Sequence, residues 1–428
     1  MSPRTFFKRH ARSARITAHA PRAARTGVRR RSSSRARAHA RAITRRIGAG
    51  LRVEPRGGQP LYWPALTVSA RTVSQEHPHT AIALHAVGQE LRRQGKFEEA
   101  LDHYNRALVL QRTVLGAKHP YTASTLSAIG QILFTQGHHV AALDHHRQAF
   151  SIKRELLGAG HIFTANTLFD LGLALFAAGQ REEALAAYTR ALTVQLRALG
   201  PGHARTISTQ QAIGELLLAE GHFADALSYL HAAQAELEQL RPAGDPADID
   251  RRLIPVIVGI GQVLFQQNQY AEALVHYGRA LGLAETHRGP HHEDTLAILH
   301  DLGRARGRAG DNDGALDAFQ RNLAGLRALY GENHARVAAT LNAIGQIHYG
   351  RGDHRAALDH YRQALDIRVR VLGSEHWQTV SSRFNCGTAL RELGDAAGAN
   401  EMAAAAEALE RLLGHDHPHV LSTRSWLR

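Results

Sequence analysis

The hydrophobic pattern of residues 334–375 predicts two amphipathic helices joined by a tight turn. Small and apolar positions recur at spacings of three and four, which places them on one stripe of each helix. Gly352 is expected to end the first helix, Asp353 to cap the second, and Gly373 to end it. The stripes are Ala338, Leu341, Ile344, Gly345 and His348, then Ala357, Tyr361, Ala364, Leu365, Ile367 and Val371. Because one hairpin cannot bury both stripes, the pattern predicts a stack of hairpins.

The same pattern recurs in eight copies along residues 77–428. The copies begin at His77, His119, His161 and His203, near Asp250, and at His292, His334 and His376. A first-helix glycine recurs as Gly88, Gly130, Gly172, Gly214, Gly261, Gly303, Gly345 and Gly387. The small residue expected opposite it recurs as Ala100, Ala142, Ala184, Ala226, Ala273, Ala315, Ala357 and Ala399. The turn residue recurs as Gly95, Gly137, Gly179, Gly221, Asn268, Gly310, Gly352 and Gly394.

These copies predict the organisation of the chain. Repeats one to four occupy 77–240, a loop insertion occupies 241–250, repeats five to eight occupy 251–416, and a capping helix occupies 417–428. The insertion should make the array slightly jointed. Repeat six should be the softest, because Arg304, Arg306 and Gly307 weaken its first stripe and Asn322 replaces a second-helix alanine.

Small residues on both helices, followed by an aromatic residue on the second, resemble the tetratricopeptide repeat. The 42-residue spacing and the long second helix ending in Leu-Gly are similar to the kinesin light chain type. The resemblance implies an all-α, right-handed solenoid of about eight helix-turn-helix units, with a concave groove that binds an extended peptide or a partner helix. We therefore expect a non-enzymatic protein-interaction scaffold. Motor attachment is not inferred, because only Asn342 and Asn385 match the paired asparagines of those relatives.

A row of polar side chains lies beside the core stripe of the first helices. Its middle position is Gln89, Gln131, Gln262 and Gln346 in four repeats and Glu215 in another, and in repeat seven Asn342 and Tyr349 flank it. An amide both donates and accepts hydrogen bonds, which suits holding a peptide backbone. The alternative is that these glutamines only solvate a helix face.

Two further groups of residues bear on ligand choice. Arg92, Arg304 and Arg308, with Arg93 beside the first, favour acidic ligands. Four phenylalanines either offer apolar pockets or pack between repeats; they are Phe134, Phe169, Phe176 and Phe265.

The net charge of +14 belongs to the N-terminal segment. Residues 1–60 hold 17 basic residues and one acidic residue, whereas the rest holds 35 and 37. We expect residues 1–60 to be disordered and 61–76 to form a cap or linker. The segment could be a transit sequence, a basic arm for nucleic acid or an anionic membrane, or upstream sequence without a selected role, which we favour. Nucleic-acid association through 1–60, with the solenoid as a mount, is the alternative function.

No catalytic motif stands out, and we expect no cofactor. The 29 histidines recur periodically, His103, His145 and His360 among them, which favours structural roles over a metal site. Cys386 is the single cysteine, which fits a reducing cytoplasm. The apolar run 253–265 is too short to span a membrane. Four lysines against 48 arginines favour a GC-rich, bacterial coding sequence.

Overall fold

Seventeen α-helices and no β-strand are present in residues 77–242 and 244–427, the part of the chain that this computed structural model describes. The basic segment at 1–60 and the cap or linker at 61–76 lie outside the described residues. The helices pair into eight hairpins, each with an odd-numbered first helix and an even-numbered second helix, and one helix follows the eighth hairpin. This arrangement confirms the predicted all-α solenoid.

The helices have these bounds: α1 (Pro78–Arg93), α2 (Phe97–Val114), α3 (Pro120–Thr135), α4 (His139–Leu157), α5 (Ile162–Ala177), α6 (Arg181–Leu199), α7 (Ala204–Ala219), α8 (Phe223–Leu240), α9 (Pro246–Gln266), α10 (Tyr270–Arg288), α11 (Glu293–Arg308), α12 (Asn312–Tyr330), α13 (Ala335–Gly350), α14 (His354–Leu372), α15 (Trp377–Glu392), α16 (Ala397–Leu413) and α17 (Pro418–Leu427).

The chain divides into two compact units, one ending at Val194 and the other beginning at Gln195. In unit 1, each helix from α1 to α5 packs against the next, and Tyr104, Leu126 and Ile129 belong to its core. In unit 2, each helix from α7 to α16 packs against the next. At the C-terminal end of unit 2, Val420 of α17 is fully buried and belongs to the same apolar cluster as Met402 of α16.

The first-helix glycine marks the close approach within each hairpin. A Cβ atom at Gly345 would lie 2.6 Å from the Tyr361 ring and 3.2 Å from the carbonyl oxygen of Ala357, so α13 and α14 can meet only because position 345 has no side chain. The predicted close approach is therefore confirmed in this hairpin. In the eighth copy the prediction was wrong by one residue. Ala399 is exposed, and Gly398 faces Gly387 instead, because this copy has 41 residues from His376 to His417.

The turns between first and second helices use left-handed backbone. Gly352 has φ +82°, and Asn268 takes the same region with φ +60° in the fifth hairpin, which confirms the predicted turn chemistry. The capping role predicted for Asp353 was wrong. Its side chain makes no cap hydrogen bond to α14, and its carboxylate instead lies 3.7 Å from Nδ1 of His348 on α13.

Histidines cap the first helices. The Nδ1 atom of the residue before each helix accepts the backbone N–H two residues later, as His334 does from Arg336 at 3.2 Å. The same bond, at 3.1–3.3 Å, is made by His77, His119, His161, His203, His292, His376 and His417. In the fifth hairpin the Asp245 carboxylate accepts the equivalent hydrogen bond from the backbone N–H of Ala247. The periodic histidines at the repeat starts are thus helix caps.

The insertion at 241–250 forms less loop than expected. Helix α9 begins at Pro246 and has 21 residues against 16 in α13, so the five residues by which this repeat spacing exceeds 42 lengthen the helix by more than a turn. Asp250, at the place of a capping histidine, is buried and contacts Arg241 at 3.0 Å and His287 at 3.2 Å. These contacts join α8, α9 and α10, and the flanking repeats lie in one unit, which argues against a joint at this insertion.

Candidate functional site

In unit 1, the polar row forms a ladder of side-chain hydrogen bonds between first helices. Nη1 of Arg92 donates to Oε1 of Gln131 at 3.3 Å, and Nε2 of Gln131 donates to Oδ2 of Asp170 at 3.0 Å. The Gln131 amide is therefore engaged at both ends. Gln89 lies on the same helix as Arg92 and is exposed.

In unit 2, Glu215 and Gln262 line one cavity of about 340 Å³ between α7, α9 and α11. Nε2 of Gln262 donates to Oδ2 of Asp301 at 3.1 Å, and the Glu215 carboxylate accepts from Gln211 at 2.8 Å. The surrounding protein desolvates Glu215 and raises the pKa of its carboxyl, although the side chain still reaches solvent. This cavity presents carboxylates and amides, which favours polar or basic groups.

Arg304 lies apart from that cavity and is already paired. Its guanidinium carbon lies 4.8 Å above the centre of the Phe265 ring, and its Nη1 atom lies 3.6 Å from Oδ1 of Asp301. Part of the positive charge predicted for this position is therefore neutralised within the protein.

Four predicted site residues meet in a larger cavity of unit 2, with a volume of about 630 Å³. We call it the C-terminal groove; its polar wall contains Arg308, Asn342, Gln346 and Tyr349. Gln346 and Arg308 are exposed, while Asn342 accepts a hydrogen bond from Asn385 on α15 at 2.7 Å. The groove thus combines amides that reach solvent with a cation at its edge.

Aromatic rings also line the C-terminal groove. Trp426 of α17 contacts Tyr349 edge to face with 6.0 Å between ring centres, and Trp377 of α15 lies 5.1 Å from the ring of His419. Large rings beside polar amides are typical of ligand sites, because the rings supply contact area and the amides fix orientation.

Arg368 of α14 also lines the C-terminal groove, and sequence reasoning missed it. We had placed Val371 on the buried stripe; that was wrong, because Val371 is 43% exposed and Arg368 is 9% exposed. Position 368 lies four residues after Ala364 and falls on the buried stripe, whereas Val371 is the last residue but one of α14. Nη1 of Arg368 donates to the carbonyl oxygen of Gln378 at 2.9 Å and to Oγ of Ser382 at 2.6 Å.

Comparison with known proteins decides the family. The sequence profile of the tetratricopeptide repeat matches residues 60–113, 79–155, 141–197, 163–235, 254–328, 305–368 and 337–409, which is most of the chain. The chain belongs to the tetratricopeptide repeat family. Its repeats are therefore a scaffold for protein interaction, a fold that is generally non-catalytic. No curated protein matches this tetratricopeptide repeat chain.

Solved structures share the tetratricopeptide repeat fold. The apo form of the quorum sensor NprR from B. thuringiensis is 13% identical with a TM-score of 0.62, over 81% of this chain and 92% of that one. A Rap protein complexed with competence and sporulation factor is 13% identical with a TM-score of 0.50, over 82% and 97%. BtubC (BKLC) from P. vanneervenii is 19% identical with a TM-score of 0.47, over 56% and 94%. At such identities, the likeness to the first two shows the fold alone.

Three of the four predicted phenylalanines pack inside their own hairpins. The Phe134 ring lies 5.1 Å from that of His139, and the Phe265 ring lies 5.5 Å from that of Tyr270, each across a hairpin turn. The Phe169 ring lies 5.7 Å from that of Tyr188 on the same hairpin. These three rings pack within their hairpins, and the Phe265 ring also contacts Arg304 of the next hairpin.

Within the described tetratricopeptide repeats, no three histidine, cysteine or acidic side chains come together in a way that could hold a metal ion. No helix in the same residues is long and apolar enough to cross a membrane. Cys386 is buried, and burial raises the pKa of its thiol to about 12, which makes the thiol unreactive.

Proposed function

We propose that this tetratricopeptide repeat protein binds an extended or helical peptide segment of a partner protein, chiefly in the C-terminal groove. The observation that carries the proposal is the meeting of Arg308, Asn342, Gln346 and Tyr349 in one cavity of about 630 Å³. That volume is within the range of ligand sites, and the surrounding helices hold the groove in shape before binding.

The chemistry of the groove favours a peptide. Gln346 offers a donor and an acceptor, as does every residue of an extended backbone, and Asn342 offers its N–H donors while its oxygen accepts from Asn385. The rings of Tyr349, Trp377 and Trp426 can take an apolar side chain of the same peptide. A Rap protein of the same fold was solved in complex with competence and sporulation factor, so this architecture can carry a ligand.

The remaining candidate residues contribute less in this proposal. Gln131 and Gln262 already bond to Asp170 and Asp301, and binding a peptide through their amides would break those bonds. Arg304 is likewise paired with Asp301. We therefore expect the C-terminal groove to provide most of the affinity. The rest of the polar row, which includes Gln89, Arg92 and Glu215, should only modulate it.

Affinity capture from the native cell extract tests the proposal. The full chain serves as bait beside a double variant, Arg308→Glu with Gln346→Ala, both exposed positions in the groove. The matched control is Arg370→Glu with Gln363→Ala, two exposed positions on α14. We expect a partner that the wild type and the control retain and the groove variant loses. Equal capture by all three would reject the groove as the binding surface.

A captured partner then identifies the segment. Overlapping synthetic peptides of that partner should contain one that binds the full chain and competes with the partner. If only the intact folded partner binds, the scaffold recognises a surface rather than a segment. A cytoplasmic location stays a prediction, which cell fractionation can check.

A further inference from the structure

Arg368 is a buried charge without an acidic partner. Both of its hydrogen bonds use Nη1 and both acceptors are neutral, the carbonyl oxygen of Gln378 and the hydroxyl of Ser382. Among the described residues, no carboxylate lies within ion-pair distance of its guanidinium. Burial lowers the pKa of Arg368, as expected for a cation that has lost water without gaining a counter-charge.

The fold does not require a cation at this position. Counted from the start of each repeat, and one residue earlier in the shorter eighth copy, the equivalent residues are Gln111, Lys153, Gln195, Leu237, Ala284, Leu326 and Leu409. Gln195 is fully buried and accepts a hydrogen bond from Thr209, so a neutral amide fills the same place elsewhere in the array. A cation recurs once, as Lys153 of repeat two, which donates to the hydroxyls of Ser127 and Thr167. Arginine is found at this position in repeat seven, where it borders the C-terminal groove.

The position of Arg368 in the C-terminal groove indicates a role in binding a ligand. Arg368 lines the same 630 Å³ cavity as Arg308, Tyr349, Trp377 and Trp426. Its Nε and Nη2 atoms have no hydrogen-bond partner in the described part of the chain and stay available to a ligand. A planar guanidinium with two free donors matches the two oxygens of a carboxylate.

We propose that Arg368 anchors a carboxylate of the bound peptide, next to an apolar or aromatic side chain received by Tyr349 and Trp426. This inference rests on the proposed function and adds its ligand class. The buried Arg368 guanidinium matches the charge and the two oxygens of one carboxylate, while the exposed Arg308 adds a second, solvent-screened positive charge to the groove. The carboxylate can be the C-terminus of the peptide or the side chain of an aspartate or glutamate.

Small probes test the anchor before any partner is known. N-acetylphenylalanine carries a ring and one carboxylate, and its amide carries the ring alone. Acetyl-Phe-Glu amide and acetyl-Phe-Gln amide repeat the comparison with the carboxylate on a side chain. Binding to the full chain is read from tryptophan fluorescence, because two of the three tryptophans, Trp377 and Trp426, line the groove.

We expect at least one charged probe to bind about tenfold more tightly than its neutral partner. The pair with the larger preference identifies the source of the carboxylate. Arg368→Gln should abolish the preference, and Gln111 and Gln195 show that the array folds with glutamine there. Arg368→Lys should keep part of it, because the charge stays while the planar fork is lost. The control Arg370→Gln, on an exposed position of α14, should keep all of it.

The anchor is rejected if wild type binds charged and neutral probes alike, or if Arg368→Gln keeps the preference. It is also rejected if no probe changes the fluorescence up to about 20 mM, since fragments of this size reach millimolar affinity at a good site. These outcomes differ from a failure of the proposed function. Groove-dependent capture without a carboxylate preference would reject the anchor alone, and a preference without groove-dependent capture would indicate a site for small anions.

Discussion

At the scale of single residues, unit 1 buries two histidines as neutral side chains. Nδ1 of His85 lies 2.8 Å from Oγ1 of Thr125, and the ring of His146 fills the space beside Gly130. Burial lowers the pKa of each imidazole to about 4, with Arg92 contributing at His85 and His145 and Lys153 at His146. Their charged forms therefore belong to the unfolded chain.

This gives a pH dependence with a defined sign. Between about pH 6.5, the unfolded pKa, and pH 4, the unfolded state binds more protons, so the free energy of unfolding should fall as pH falls. Each histidine should cost about 3 kcal/mol by pH 4 and nothing above pH 7. Urea unfolding at pH 7 and pH 5 measures the slope.

A variant separates this effect from general acid sensitivity. His146→Tyr places at this position the residue that repeats one, three, five and seven carry, as Tyr104 does. Between pH 7 and pH 5, the free energy of unfolding of this variant should fall less steeply with pH, by the amount that corresponds to about one fewer proton taken up on unfolding. The exposed His138→Ala should leave the slope unchanged. Equal slopes for wild type and His146→Tyr would show that His146 does not carry the dependence.

At the scale of the helix pair, the missing Cβ of the first-helix glycine sets the distance between helices. Gly345→Ala should destabilise the array by about 1–3 kcal/mol, because its new methyl group would meet the Tyr361 ring at 2.6 Å. Gly282→Ala is the matched control, since it lies inside α10 with nothing within 4 Å of the added atom. It should stabilise the protein by up to about 1 kcal/mol through helix propensity.

Chemical denaturation of the two variants measures both shifts. If both substitutions stabilise the protein, α13 and α14 can move apart at little cost, and the glycine is not a packing requirement. If both destabilise it, the control glycine has a role that its open surroundings do not explain.

At the scale of the whole molecule, the eight repeats should not be equally stable. Gly307 lies within α11 in addition to Gly303, the first-helix glycine that every repeat has, and lowers the helix propensity of repeat six. Asn322, however, is fully used: its amide donates to the carbonyl oxygen of Leu296, and its oxygen accepts from Thr340 at 2.6 Å. The buried asparagine is therefore a link between repeats six and seven, and the weakness should be confined to the end of α11.

Hydrogen exchange measured by mass spectrometry checks this expectation. Amides near Gly307 should exchange faster than those at the matching end of α13, while amides around Asn322 should be as protected as those around Ala364. Uniform protection of the two first helices would reject the softness of repeat six.

The repeating parts of the molecule were predictable, and the exceptions to the repeat were not. Because the pattern recurs in eight copies, a wrong assignment at one position does not change the predicted hairpins and turns, which follow from spacing alone. The extra turn of α9 and the shift from Ala399 to Gly398 come from copies of unequal length, where spacing has no reference. The burial of Arg368 was not predicted, because hydrophobic periodicity assigns apolar residues to the buried face and this buried residue is charged.

The histidine caps determine where the imidazole hydrogens are. A ring nitrogen that accepts a hydrogen bond carries no hydrogen, so each neutral capping ring holds its single hydrogen on Nε2. Eight rings spaced along the chain thus share one tautomer, imposed by the helix that each one starts. A metal ion could bind either nitrogen of such a ring only by uncapping its helix, because Nδ1 is engaged and ligation through Nε2 would move the hydrogen to Nδ1. A polyhistidine-like affinity for nickel or zinc should therefore be weaker than the 29 histidines suggest.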